Sequence, residues 1–268
     1  MNAIRRRRTS SQSSLDSARV APQPVEGSAL QRVGLEQVRD QIVDCHACPR
    51  LRSYCREVGR VKKAAFRNET YWARPVPGFG DPNARVLILG LAPAAHGANR
   101  TGRVFTGDGV GASGDFLMAE LKRAGFANIS TSQRLDDGLR LTDAYVAAAV
   151  RCAPPANKPL PEEVGRCLPH LVNEVAHLPR LQVVVALGKI AWDAWLKLLT
   201  TSGVELPRPR PAFAHGAVVH LAPCTPAPLH PCTLIGAYHP SRQNTNTGLL
   251  TARMYDSVFN DVARCLRR

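Results

Sequence analysis

The sequence predicts an α/β fold: one domain over residues 31–268, with a mostly parallel central β-sheet flanked by helices. Three observations predict it. Short apolar runs rich in branched residues recur at 85–91 (RVLILGL), 145–150 and 182–187 (QVVVAL), each of strand rather than helix length. Segments of helical periodicity separate them, which is the pattern of parallel strands joined by crossover helices. Finally, 268 residues with 44% apolar and 21% charged content can bury a substantial core.

The elements follow in order. Residues 1–30 read as a disordered basic tail: Arg5 to Arg8 form a basic block, a Ser/Gln-rich stretch follows, and Pro22 and Pro24 close it. Residues 85–91 are the first buried strand. Residues 113–124 are a helix, with Ser113 as N-cap, Phe116, Leu117, Leu121 and Ala124 on one face, and Gly125 as the stop. Residues 145–150 are the second strand. Residues 162–178 are a helix that Pro169 is expected to bend. Residues 182–187 are the third strand and 189–199 the next helix. Two short strands follow at 217–221 and 233–237. Leu250, Met254, Val258 and Val262 recur every four residues along a terminal helix. The stretches 207–211 and 223–231 are loops, and there is no internal repeat.

Charge narrows the function. Thirty-five Lys and Arg against 21 Asp and Glu give +14. The first 30 residues supply five Arg and two acids, so most of the excess belongs to the body. A domain this basic attracts polyanions, nucleic acid above all. No apolar run approaches the roughly 20 residues of a membrane helix. The basic N-terminus lacks the apolar segment of a secretory signal. The expected setting is therefore the cytoplasm, where disulfides are rare and clustered cysteines point to metal or redox chemistry.

There are eight cysteines. Cys45 and Cys48 form a C-x2-C pair ahead of Pro49, Cys152 follows the second strand in RCAPP, and Cys167 lies in the next helix. If the first pair folds onto the second, four thiolates suit either structural zinc or an iron–sulfur cluster, and spacing does not separate the two. Cys55, Cys224, Cys232 and Cys265 have no comparable partners and read as structural.

In parallel sheets, ligands bind beyond the carboxyl ends of the strands. The loop after the first strand, GLAPAAHG (90–97), is rich in small residues that let a ligand approach the backbone. It matches neither a P-loop nor a dinucleotide fingerprint. VFTGD (104–108) follows it. After the last strand, AYHPSRQNTNTG (237–248) places a histidine at a strand end, with a proline behind it and a polar loop beyond.

Together, GLAPAAHG, the four cysteines with RCAPP, and AYHPSRQNTNTG resemble the uracil-DNA glycosylase superfamily, and within it family 5, the iron–sulfur type B enzymes of bacteria and archaea. The resemblance covers residues 35–265. It implies a three-layer α/β/α fold and a monofunctional DNA glycosylase of base excision repair. Such an enzyme acts on double-stranded DNA, as a monomer, since one base needs one pocket.

Residue by residue, the resemblance assigns Cys45, Cys48, Cys152 and Cys167 to a structural [4Fe–4S] cluster. Gly90, Ala92, Ala94 and Ala148 fall at the base pocket. Phe105 matches the aromatic that stacks on the extruded base; core packing is the plainer reading of such a residue. His239 matches the donor to the base carbonyl oxygen. Ser241, Arg242, Gln243, Asn244 and Thr245 match the loop that enters the duplex. Other branches carry an acid near Leu91 and Ala92, and an Asn near Ala147 and Ala148. Here Asp108 is the candidate to replace the acid. Without the Asn, the pocket is expected to be permissive, accepting uracil and also hypoxanthine, xanthine or ethenocytosine. Neither loop carries a lysine, so no Schiff-base step is expected. Two other readings use the same cysteines, a noncatalytic zinc-stabilised nucleic-acid-binding module and an electron carrier. The first has no use for Phe105, Asp108 and His239, and the second explains neither the His-Pro-Ser loop nor the charge.

Overall fold

The computed structural model describes residues 26–107, 109, 111–221 and 232–267, with the backbone alone for 26–33. Asp108, Cys224, the 223–231 loop and residues 1–25 of the expected tail lie outside the described residues.

The described elements are α1 (Glu26–Val43), α2 (Pro49–Val61), β1 (Phe79–Gly80), β2 (Val86–Gly90), α3 (Ala98–Thr101), α4 (Ser113–Arg123), β3 (Ala144–Ala148), α5 (Pro161–Ala176), β4 (Val183–Leu187), α6 (Lys189–Thr201), β5 (Val218–Leu221), β6 (Cys232–Ala237), α7 (Arg242–Asn246) and α8 (Ala252–Leu266). The sheet order is β1-β3-β2-β4-β6-β5. β3, β2, β4 and β6 are mutually parallel, and β1 and β5 close the two edges antiparallel. Every residue of the four central strands is buried. That is why they read as continuous apolar runs rather than as alternating patterns.

Alternation reappears in space. Val86, Ile88, Val146, Val183, Val185 and Ile235 face one core, with Leu117 and Leu121 of α4 and Val258 and Val262 of α8. Leu87, Leu89, Tyr145, Val184, Ala186 and Leu234 face the other, with Leu171 of α5 and Trp192 and Trp195 of α6. The result is helices, sheet, helices: the three-layer arrangement expected.

Several local expectations shift. Ser113 is the first residue of α4 rather than its cap, and the capping position falls to Ala112. The second strand ends at Ala148. The polar stretch after His239 is not all loop, because residues 242–246 coil into α7. α5 is continuous through Pro169. Cys232 is disulfide-bonded, against the expectation of reduced thiols throughout.

Candidate active site

Because β2, β3 and β6 run in the same direction, the segments that follow them emerge together. They enclose a cavity of about 430 Å³ lined by Leu91, Ala92 and Ala94 after β2, Ala148 and Asn157 at and beyond the end of β3, and His239, Ser241 and Arg242 after β6, with Val104, Phe105, Ala112 and Ser113. That volume lies within the range usual for small-molecule sites, roughly 300–1,000 Å³. Its walls are mainly apolar, with polar groups at a few points.

Phe105 and His239 meet across this cavity. Their rings are stacked, with centroids 5.6 Å apart and planes 27° from parallel. The chain goes to some length to hold Phe105 there. Its φ is 51°, in the left-handed region, which is costly for an aromatic residue. A Cβ on Gly90 would stand 2.7 Å from the Phe105 ring, and one on Gly114 would stand 2.2 Å from the Phe105 carbonyl oxygen. Two glycines thus make the room for one phenylalanine. Gly90 serves the pocket through that ring and is not itself part of the lining.

The backbone around His239 is pinned at several points. The Tyr238 N–H donates to His215 Nδ1 (3.1 Å), and the Tyr255 hydroxyl donates to the Tyr238 carbonyl (2.8 Å). The His239 carbonyl accepts from the Ser241 N–H (2.8 Å) and from Asn244 Nδ2 (2.8 Å). Ser241 Oγ in turn caps α7 by accepting from the Asn244 N–H (3.2 Å). Ser241 and Asn244 therefore shape the segment, while Arg242 and Gln243 are exposed at its tip and Thr245 is half-buried. Among the described residues, neither ring nitrogen of His239 is hydrogen-bonded, so the imidazole is available to a ligand.

Burial pushes the His239 pKa down to about 4. The ring is neutral throughout the physiological range and can donate from one nitrogen without carrying charge. Between pH 4 and 6.5 the unfolded chain binds a proton here that the folded chain refuses. This contribution to stability is therefore complete above pH 6.5 and falls away on acidification toward pH 4. If neutral imidazole is the working form, the single-turnover rate stays level in His239 titration from pH 8 down to about 5. An ordinary histidine would give a fall centred near pH 6.5. A pH–rate profile checks this.

The segment leading to residue 107 is clamped from below. Arg103 donates from Nε to Thr106 Oγ1 (2.9 Å) and from Nη2 to Ser132 Oγ (3.1 Å) and Asp137 (2.7 and 2.8 Å). Arg100 donates from Nη2 to the Gly107 carbonyl (2.7 Å), pairs with Glu69 and lies over the Phe66 ring (3.9 Å to the centroid). Arg242 Nη2 stands 3.0 Å from where a Cβ on Gly109 would be, so that side chain reaches across the same segment. The sequence signal for these clamps, R-x-x-R in NRTGR, is present but looks like surface charge.

A model described as the uracil DNA glycosylase superfamily matches residues 77–263. The chain belongs to the uracil-DNA glycosylase superfamily. Type-5 uracil-DNA glycosylases are similar to it over most of its length. That of Thermus thermophilus is 51% identical over 221 residues, 82% of this chain and 93% of that protein. That of Mycobacterium tuberculosis is 48% identical over 221 residues, covering 82% and 77%. That of Pyrobaculum aerophilum is 42% identical over 224 residues, covering 84% and 90%. A type-4 uracil-DNA glycosylase of Pyrobaculum aerophilum is 31% identical over 167 residues, covering 62% and 66%.

Within this family frame, the cysteines gather beside the pocket. Cys48, Cys152 and Cys167 are buried in one cluster with Leu51, Val150 and Ala153, and Ala92 of the pocket wall packs against it. Cys45, half-buried, faces the same group and adds to the repulsion that opposes ionisation of Cys48 and Cys167. Pro49 at the start of α2 fixes the turn that carries the C-x2-C pair. Arg50 then ties α2 to α5 through Glu163 (2.7 and 2.8 Å), and this holds the Glu163 carboxyl below its usual range. Cys55 belongs here too, contrary to the reading that left it without a partner. It is buried, its thiol donates to the Ala153 carbonyl (3.6 Å), and its hydrogen bond with Cys152 pushes the Cys152 thiol up. Burial pushes Cys167 up to about 11.

As the thiols stand, no three His, Cys, Asp or Glu side chains among the described residues enclose a metal position. The surroundings nevertheless suit an anionic thiolate centre. Two buried guanidinium groups flank the cysteines: Arg52 beside Cys55 and Cys152, and Arg151 beside Cys167. Among the described residues, Arg52 Nε, and Nε and Nη1 of Arg151, have no hydrogen-bond partner, although Arg151 Nη2 is ion-paired with the buried Glu174 (2.5 Å). Buried, unpaired N–H groups of a cation are costly unless an anion faces them. The donor set fits a metal–thiolate cluster of net negative charge.

Proposed function

We propose that this chain is a monofunctional glycosylase of base excision repair that extrudes uracil from double-stranded DNA and hydrolyses its bond to deoxyribose. We further propose that it accepts other deaminated or adducted bases, including hypoxanthine, xanthine and ethenocytosine. The observation that carries the reading is the pairing of Phe105 and His239 across a mainly apolar cavity, beside the polar segment that carries Arg242. We also assign it to chromosomal DNA in the cytoplasm, acting as a monomer; the net charge of +14 supports the DNA partner.

The chemistry follows from that pairing. The extruded base loses its stacking in the duplex, and the Phe105 face restores some of it, roughly 1–3 kcal/mol. As the bond from C1′ to the base nitrogen breaks, the electron pair leaves with the base and charge grows on its carbonyl oxygen. The neutral His239 N–H donates to that oxygen. Water adds its oxygen to C1′ and loses a proton, and the departing base anion takes up one proton, so the products are the free base and the sugar hydroxyl. We assign Asp108 to orient that water and to balance the positive charge on the sugar.

Breadth of substrate follows from the wall at Ala148. An alanine makes no hydrogen bond to a base edge, so shape and stacking decide which bases enter. Asn157, from the loop beyond β3, supplies an amide at the cavity rim that inspection of the strand alone overlooks.

Cys45, Cys48, Cys152 and Cys167 are the ligands we assign to a [4Fe–4S] cluster. Bound there, it supplies a cross-link between the N-terminal segment and the core. Arg52, whose Nε has no partner among the described residues, would offset part of its charge.

The test uses duplex oligonucleotides carrying one uracil or one hypoxanthine, with abasic sites revealed by alkali. Wild type is expected to cleave both, and Asp108→Ala to cleave each about 10²-fold more slowly. Uracil cleavage with hypoxanthine left intact overturns the permissive pocket. Full activity in Asp108→Ala removes that residue from the mechanism.

A further inference from the structure

A second cavity shares a wall with the base pocket. Ala94 and Asn157 line both. The second measures about 280 Å³, and its other polar side chains are Tyr54, Lys63 and His96. No carboxylate lines it. Lys63 is exposed and forms no ion pair among the described residues.

The Lys63 backbone N–H donates to the Tyr71 hydroxyl oxygen (3.4 Å), and the same hydroxyl lies 3.0 Å from His96 Nδ1, to which we assign it as donor. With Nδ1 accepting, the ring proton sits on Nε2. Burial, with the charges of Lys63 and Arg100, holds the His96 pKa below its ordinary value, so the neutral form persists. Arg100 also grips the His96 carbonyl through Nε (2.9 Å). Neither His96 Nε2 nor the Tyr54 hydroxyl has a hydrogen-bond partner among the described residues. The cavity therefore offers an ammonium, an imidazole N–H and a phenol O–H, and no anion.

We propose that this cavity seats a DNA phosphodiester, the one adjoining the extruded nucleotide on the same strand, with Lys63, His96 and Tyr54 as donors. The shared wall sets the register. A base in the first cavity brings its own backbone to the boundary formed by Ala94 and Asn157. This inference rests on the glycosylase reading for the identity of the strand.

The test is binding of the whole chain to duplexes carrying one 2′-fluoro-2′-deoxyuridine, with methylphosphonate replacing one phosphate at a time. Wild type is expected to lose about tenfold in affinity at one linkage beside the modified nucleotide. Lys63→Gln is expected to bind unmodified duplex about tenfold more weakly and to be indifferent to methylphosphonate at that linkage. Its salt dependence should be shallower by about 0.9 in log–log slope. Lys63→Arg should restore both. Wild type indifferent at every adjoining linkage overturns the proposal, as does Lys63→Gln that keeps the wild-type sensitivity. Wild type that shows the linkage effect but releases no uracil from a cleavable duplex overturns the glycosylase reading and leaves the phosphate site standing.

Discussion

Replacing His239 with alanine is expected to lower the single-turnover rate on uracil-containing duplex by about 10²–10³-fold, the usual cost of removing one aligned donor to a developing oxyanion. The argument is geometric first. The Tyr238 and His239 backbone is held by His215, Tyr255, Ser241 and Asn244, so the imidazole is placed before substrate arrives. Burial keeps it neutral down to about pH 4, so it meets the growing charge as a donor without having to lose a proton first. His239→Gln retains an N–H and should recover part of the rate. Rapid-quench measurement at saturating enzyme separates this from binding. An alanine variant as fast as wild type would remove His239 from the chemistry.

Cys152→Ser is expected to lose the cluster and much of the stability of the chain. Iron in the wild-type protein should be about four atoms per chain and in the variant well below one. A link between Cys48 and Cys152 closes a loop of roughly 100 residues, and a cross-link of that span is worth about 4–5 kcal/mol in the chain-entropy picture. At roughly 2–4 °C per kcal/mol for a chain of this size, the melting temperature should fall by about 10–20 °C. Cys55→Ser is the discriminating control. It lies in the same buried group but outside the assigned ligands, so it should keep its iron. Iron retained by Cys152→Ser and lost by Cys55→Ser would exchange their roles, and zinc in place of iron would change the metal.

Both expectations depend on the cysteines and the histidine loop lying on one end of one sheet. The cysteine group touches the pocket through Ala92, which packs against the first and lines the second. Loss of the cluster should therefore reach the loop after β2 as well as the N-terminal helices.

Much of this was legible in the sequence. The four central strands announce themselves as short apolar runs because both faces of each are buried, and a run without alternation needs no partner to be seen. Strands that alternate with helices make the sheet parallel, and parallel strands put their following loops on one side. Phe105 and His239 are singled out by the family resemblance, and the topology alone does not bring them together. What the sequence could not decide depends on pairing across distance. The edge strand β1 is two residues long and exists only through its register with Tyr145 and Val146. Ser241 looks like a surface hydroxyl until α7 forms and needs a cap. Gly90 and Gly114 look like loop flexibility until the Phe105 ring and carbonyl come within reach of them. Cys55 carries no spacing signal, because a partner 97 residues away is chosen by packing alone. Local sequence sets which segments become strands and which residues stand at their ends. Tertiary structure decides what those residues touch, because burial and contact are properties of the assembled sheet rather than of any segment within it.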